Sequence, residues 1–191
     1  MNKAALLKRG LYLEYITLGW NVVGVGIVLI AAWRAGSVAL AGFGLDSLIE
    51  IFASLVVVWE LNDIAHERRR HALRMIGIAF LLLALYILGQ SAYILFAQVH
   101  PAPSVGGIIW LAATLGAMLL LAWGKKVTGD ALSNPVLKTE GRVTLVDALL
   151  AGAVLVGLVL NALFGLWWAD PLAGLVIVYY GFKEGWHALH A

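Results

Sequence analysis

Six apolar runs, each about 20 residues or longer and separated by short breaks, decide most of what this chain can become. They cover about residues 11–32, 38–61, 74–97, 105–124, 136–163 and 169–189. A helix rises about 1.5 Å per residue, so about 20 residues cross a hydrocarbon core of about 30 Å. In that solvent every backbone N–H and C=O must be paired, and a helix does so within one segment. The breaks carry loop punctuation: "WRAGS", "NDIAHERRRHALR", "VHPAPSVGG", "GKKVTGDALSNPVLKTEGR" and "GLWWADP". Composition agrees, with 62% hydrophobic and 13% charged residues, against roughly half and a quarter in ordinary soluble domains. The expected fold is all-α, a single six-helix transmembrane domain over residues 1–191. The basic start "MNKAALLKRG" leads into a run too long for a signal-peptide core, so it reads as the beginning of a retained first helix.

Lys and Arg set the expected orientation. Of the 13, only Arg34 falls in an outer loop when the N-terminus is placed inside. Lys3, Lys8, Arg9, Arg68, Arg69, Arg70, Arg74, Lys125, Lys126, Lys138, Arg142 and Lys183 all fall on the inner side or at inner helix ends. The positive-inside rule then puts both termini in the cytoplasm of a multi-pass protein of the cell inner membrane. Trp167 and Trp168 lie at an outer boundary, where amphipathic rings prefer to sit. No loop is long enough to fold alone, and no soluble domain is expected after the sixth run. The chain has no cysteine, which excludes disulfides and thiolate metal sites. Its basic residues flank apolar runs, so they read as topology signals and not as a nucleic-acid surface.

Against this background the acids inside the runs stand out. Asp46 and Glu50, in "GFGLDSLIEIFASLVVVW", are four residues apart and share one helix face. Like charges this close repel, and lipid raises the cost. They persist if protonated, paired with a cation, or facing water inside the bundle. A protonated pair bonded to a neighbouring helix is the plainer account, but one acid would suffice for it. Asp147 lies 12 residues, roughly 18 Å, along a fifth helix that begins at Pro135 with Ser133 or Asn134 as its cap. Asp46 and Glu50 lie roughly 12 and 18 Å in from the outer end of the second helix. All three can therefore meet near mid-membrane. The six spans place no Lys or Arg at that depth, so a bound metal ion or protons must balance them. Three carboxylates make a hard, oxygen-rich cation site. Crowded acids also have raised and coupled pKa values, so cation binding displaces protons and protons displace the cation.

Other polar residues are candidates for supporting roles. Glu14 and Asn21 are seven apart and share a face of the first helix. Asn21 either backs a ligand or makes a helix–helix hydrogen bond. Glu14 and Glu140 lie nearer the inner side and could draw cations into a vestibule. Asp170, before Pro171, is a structural cap that complements the dipole of the sixth helix. Lys183 and Glu184 sit near the inner end of that helix and can snorkel to the interface. His66, His71, His100, His187 and His190 fall in loops or at helix ends, away from the acids. Gly19, Gly24, Gly26, Gly42, Gly44, Gly152 and Gly157 would allow close helix approach.

These features together resemble the cation diffusion facilitator (cation efflux) family, its membrane domain only, and are similar to a short bacterial branch of cation transporters. Four stretches carry the resemblance: the run "SVALAGFGLDS", Asp46 to Glu50 in place of the family's D-x-x-x-D, Asp147 in "EGRVTLVDALLAG", and Asp170-Pro171 in "WADPLAGL". The resemblance implies Asp46, Glu50 and Asp147 as metal ligands, metal/proton antiport and a homodimer. It departs at Val143, where the family usually has a histidine four residues before its fifth-helix acid. It departs also in lacking the family's cytoplasmic C-terminal domain. The expected function is secondary active export of divalent metal cations from the cytoplasm in exchange for protons, by alternating access around a mid-membrane carboxylate site. Zinc-type cargo is implied, with cobalt, iron, manganese or cadmium as alternatives. Two other readings stand beside it: a non-transporting metal-binding or assembly subunit, and a proton-coupled exporter of organic cations. No reading makes the chain an enzyme or gives it a permanently bound cofactor. The expected partners are a divalent metal cation, protons, the lipid bilayer and a second copy, with no nucleic acid.

Overall fold

Helices form wherever the chain is apolar, and they continue past the apolar runs. A computed structural model describes residues 3–61 and 66–190, apart from the side chains at 53, 56, 57, 59–61, 66–73, 76, 135, 136, 139, 188 and 190. The side chains of His66, His71 and His190 are therefore outside the described set. The elements are α1 (Lys3–Ala35), α2 (Val38–Leu61), α3 (His66–Ala97), α4 (Val105–Leu132), α5 (Pro135–Phe164) and α6 (Ala169–His190). All regular structure among the described residues is helical. Three helices overrun their expected limits: α1 begins at Lys3 instead of 11, α3 at His66 instead of 74, and α4 ends at Leu132 instead of 124. Lys, Arg, Glu and Ala are good helix formers, so polarity marks where lipid ends and not where the helix ends.

The α4–α5 junction shows what does end a helix. Ser133 adopts a left-handed conformation (φ 51°) and its N–H returns to the carbonyl of Asp130, closing α4. Asn134 then caps α5, its side-chain oxygen accepting from the N–H of Leu137 at 3.0 Å. Pro135 follows as the first helical residue, where no amide hydrogen is needed. Both cap candidates are used, one on each side of the junction.

By length and composition, four helices among the described residues can cross a membrane: Lys3–Ala35, Gly77–Ala97, Val105–Leu132 and Glu140–Phe164. Outside this set are α2, which carries Asp46 and Glu50, and α6, which carries Asp170, Lys183 and Glu184. The six helices pack as a closed ring in the order α1, α2, α3, α6, α5, α4 and back to α1, with α2 also touching α5 and α6 across it. An apolar core of Val28, Leu40, Phe43, Ile87, Val154 and Ile177 fills one part of the interior. Large apolar side chains such as Trp33, Phe96, Leu120 and Leu163 point outward and are exposed. Glu14, Asn21, Asp46, Glu50, Lys125, Glu140 and Asp147 are buried. Apolar outside and charged inside is the arrangement expected of a bundle whose solvent is lipid.

Close approach of α2 and α5 to their neighbours depends on glycine at specific points. A Cβ on Gly42 would meet Ile87 at 2.8 Å, and one on Gly157 would meet Ala173 at 2.9 Å and the Ala169 carbonyl at 3.0 Å. Gly19 and Gly26, by contrast, have nothing within 4 Å.

One long-range contact fixes α2 at its N-terminus. Gly36 turns the chain with φ +63°, and Ser37 caps the helix by accepting from the N–H of Leu40 at 3.1 Å. The carboxylate of Asp170, from the first turn of α6, accepts from the N–H groups of Val38 at 3.1 Å and Ala39 at 3.4 Å and from the Ser37 hydroxyl. Asp170 lies in the first turn of α6, but its hydrogen bonds go to the start of α2, more than 130 residues away. Three of the orphan N–H groups that every helix start leaves are satisfied, two of them by a charge of the sign the helix dipole favours. Asp170→Ala leaves buried donors unpaired. It should lower stability by about 2 kcal/mol, seen as a reduced unfolding midpoint of the detergent-solubilised protein, with Asp170→Asn losing less.

Candidate ion site

The buried polar residues sit on stripes of helical spacing. On α1 the buried positions are Gly10, Glu14, Thr17, Asn21, Gly24, Val28, Ala32 and Ala35, steps of three and four that trace one face. On α4 they include Leu111, Thr114, Met118, Leu121, Lys125 and Thr128. Asp46, Glu50 and Ser54 make the corresponding stripe on α2, and Glu140, Thr144 and Asp147 that on α5. The four stripes face one another and form two polar layers.

The lower layer, toward the start of α1, is an ion triad. Lys125 is fully buried, and its ammonium donates to Glu14 at 3.0 Å, Glu140 at 3.3 Å and Thr144 at 3.0 Å. All three donors of the ammonium are thereby used. The Ser54 hydroxyl donates to the same Glu140 oxygen at 3.1 Å. The triad joins α1, α4 and α5, and Ser54 adds α2. The sequence places Lys125 on the inner side, free to face outward, and no Lys or Arg at the depth of Asp46, Glu50 and Asp147; the structure buries Lys125 fully, one layer away from those three acids. Its burial follows from the α4 stripe, which carries Lys125 inward while Lys126, one residue on, is exposed. Glu14 and Glu140, expected to lure free cations into a vestibule, hold this internal one.

The upper layer holds the three acids singled out in the sequence. Asp46, Glu50 and Asp147 line one cavity with Phe80, Val143, Val146, Leu150, Tyr180, Gly181 and Glu184, with about 20 Å³ open to water centres. Space of that size admits about one water. The Asn21 amide donates to Glu50 at 3.0 Å, so it is at once the helix–helix bond and the support for a site acid. No N–H or hydroxyl group reaches the second oxygen of Glu50 or either oxygen of Asp147; the Glu50 and Asp147 carboxyl groups lie within hydrogen-bonding reach of each other, so a shared proton would join them. Orphaned buried carboxylate oxygens are costly and need a proton or a cation. Among the described residues the two layers bury five acids, Glu14, Asp46, Glu50, Glu140 and Asp147, against one ammonium, that of Lys125. The layer is therefore short of positive charge even after the triad is counted. As they stand, no three His, Cys, Asp or Glu side chains among the described residues are set to hold a metal ion together; the acids surround a cavity instead of closing on one point.

Two residues of this region are not singled out by hydropathy and spacing. Lys125 is legible in principle from the α4 stripe. Glu184, expected to snorkel, instead lines the cavity from α6 and is half-buried. Its stripe is Asp170, Ala173, Ile177, Gly181 and Glu184, again steps of three and four. Val143, at the position of the missing histidine, also lines the cavity and offers it only methyl groups. His100 packs at a tilt against Trp167 with ring centroids 4.8 Å apart, outside this cavity.

Comparison with known proteins gives a consistent family. A model described as the cation efflux transmembrane domain matches residues 72–190. Transmembrane protein 163 of Xenopus laevis is 28% identical over 182 residues, covering 87% of this chain and 64% of that protein. The cation-efflux pump FieF of Cronobacter sakazakii is 26% identical over 181 residues, 86% of this chain and 60% of the relative. FieF of Pectobacterium atrosepticum is 28% identical over 202 residues, 94% and 67%. The chain thus spans 60–67% of the length of these relatives.

Removing the triad's cation should expose its role. Lys125→Met leaves Glu14 and Glu140 buried without their partner and should destabilise the protein by about 3 kcal/mol or more. Adding Glu14→Gln to it should recover part of the loss. Equal unfolding midpoints for wild type and Lys125→Met would show that the triad does not hold the helices.

Proposed function

The chain is a member of the cation efflux family, and from that premise we propose that it exports divalent metal cations from the cytoplasm in exchange for protons. The family's work is transport and not catalysis, and the membrane-spanning helices fit that work. In this reading all six helices cross the inner membrane with both termini in the cytoplasm, as the distribution of Lys and Arg favours. Asp46, Glu50 and Asp147 are the ligands, Asn21 orients Glu50, and the protein acts as a homodimer.

One observation carries the reading: carboxylates from α2 and α5 line a single buried cavity, and three of their oxygens meet no N–H or hydroxyl group. With Lys125 committed to Glu14 and Glu140, the remaining charge must be met by protons or by a cation arriving from outside the chain. Because both ligands bind the same oxygens, they compete, and competition between metal and protons at one site is the core of antiport. The acids surround the cavity without closing on a point, which suits cargo that must be released. Alternating access moves helices against one another around a fixed depth, and the carboxylates would converge in only part of the cycle. The cavity volume supports ion-sized cargo. Phe80 and Tyr180 do line it, but an organic amine needs more room than one water occupies.

The test is flux by the purified chain alone in liposomes, with an imposed proton gradient and a panel of zinc, cobalt, iron, manganese, nickel and cadmium. At least one ion should move, and Asp46→Asn or Asp147→Asn should abolish its movement while leaving the protein folded. Absence of flux for every ion would favour a subunit that binds metal without transporting it. Full flux in both neutralised variants would remove these residues from the site.

A further inference from the structure

The acid cavity has a fourth carboxylate that the family pattern does not supply. Glu184 reaches it from α6, on the stripe that passes through Ile177 and Gly181. The neighbouring glycines set its depth. A Cβ on Gly181 would meet Ala84 and the Phe80 carbonyl at 3.2 Å, and one on Gly185 would meet the Gly77 carbonyl at 3.0 Å. Bare α6 backbone therefore packs against α3 at positions three residues before and one residue after Glu184, which brings this stretch of α6 close to the bundle, and Glu184 lines the cavity. The adjacent Lys183 does not neutralise it. That ammonium lies over the Tyr180 ring, 5.6 Å from its centroid, and its residue is exposed. No salt bridge among the described residues involves Glu184.

Opposite, on α5, stands Val143, which brings no donor atom. Asp147 and Glu50, each 3% exposed, lie within reach of each other, and no N–H or hydroxyl group meets either oxygen of Asp147 or the second oxygen of Glu50. An ion drawn among these oxygens finds a further carboxylate on α6 and only apolar groups where an imidazole would otherwise be.

Resting on the transport reading above, we propose that Glu184 is the fourth ligand of the cation site, replacing the nitrogen donor that Val143 cannot give with a carboxylate from α6. The site is then all-oxygen. Imidazole suits zinc, whereas carboxylate, carbonyl and water suit manganese, magnesium and calcium, so the substitution narrows the preference for zinc over manganese. The ligand also comes from a different helix. Binding then draws α6 toward α2 and α5, so the ion ties three helices where the family's pattern ties two.

The test is metal binding by the purified full-length chain in detergent. Free manganese(II) is followed by its electron paramagnetic resonance signal, and zinc by competition, for wild type, Glu184→Gln, Glu184→Asp, Val143→His and Asp147→Asn. Each variant's folding is checked by its thermal unfolding midpoint. Glu184→Gln should weaken manganese binding at least tenfold, Glu184→Asp should retain most of it, and Val143→His should raise zinc affinity relative to manganese. Asp147→Asn should lose both metals. If Glu184→Gln binds manganese as wild type does while Asp147→Asn does not, the fourth ligand is overturned and the transport reading stands. The fourth ligand is equally overturned if Glu184→Gln only lowers the unfolding midpoint. If Asp147→Asn binds as wild type does, the underlying site itself is wrong, and the fourth ligand fails with it.

Discussion

The buried ammonium of Lys125 is the contact on which the polar interior depends. It is held by Glu14, Glu140 and Thr144, and through Ser54 and Glu140 the same group reaches α2. Four helices are thereby given one register relative to one another. Buried ion pairs are not generally a source of stability, because desolvation offsets their attraction. What they do well is penalise wrong arrangements, since any slip that separates the partners strands a charge in a dry interior. A triad between α1, α4 and α5 thus fixes where Asp147, one turn beyond Thr144, must stand.

The triad also shapes the electrostatics of the layer beside it. With its three donors spent, Lys125 contributes positive charge to the acid cavity only at a distance. Asn21 gives Glu50 one hydrogen bond, while Asp147 meets only the Glu50 carboxyl group. The result is a cavity with acid groups on several walls and one weak donor. Such a cavity is stable only when something positive enters it. At the opposite end of α2, Asp170 and Ser37 close the helix start, so α2 is anchored at one end by a cap and farther along by its polar face. An element held this way carries Asp46 and Glu50 at a defined height, which is what a site of a few oxygens requires.

Much of this architecture is legible in the sequence, and for identifiable reasons. The apolar runs name six helices because lipid leaves the backbone no other solution. Hydropathy misplaces their ends by as much as two turns because it reports the boundary of the solvent, while caps such as Ser133 and Asn134 report the boundary of the helix. Asp46, Glu50 and Asp147 are conspicuous as acids in apolar surroundings, and counting residues puts them at one depth. Lys125 and Glu184 are easily overlooked because each lies near the end of its apolar run, where a charged residue is expected to turn outward. The discriminating signal is phase: both continue the buried stripe of their helix, as Lys126 and Lys183 do not. Asp170 reads as a cap from its place before Pro171, but its partner, the start of α2, is a tertiary fact that local spacing does not contain.

If a metal ion and protons compete for the carboxylate oxygens of this cavity, as proposed, metal binding must release protons. The purified chain, in weakly buffered detergent solution near neutral pH, is titrated with a divalent ion that it binds, and the pH change is recorded. Release of about one proton or more per ion bound is expected, and no release from a chain in which Asp46, Glu50 and Asp147 are all changed to the amide. Binding with no proton release, or undiminished release from the triple variant, would contradict such competition.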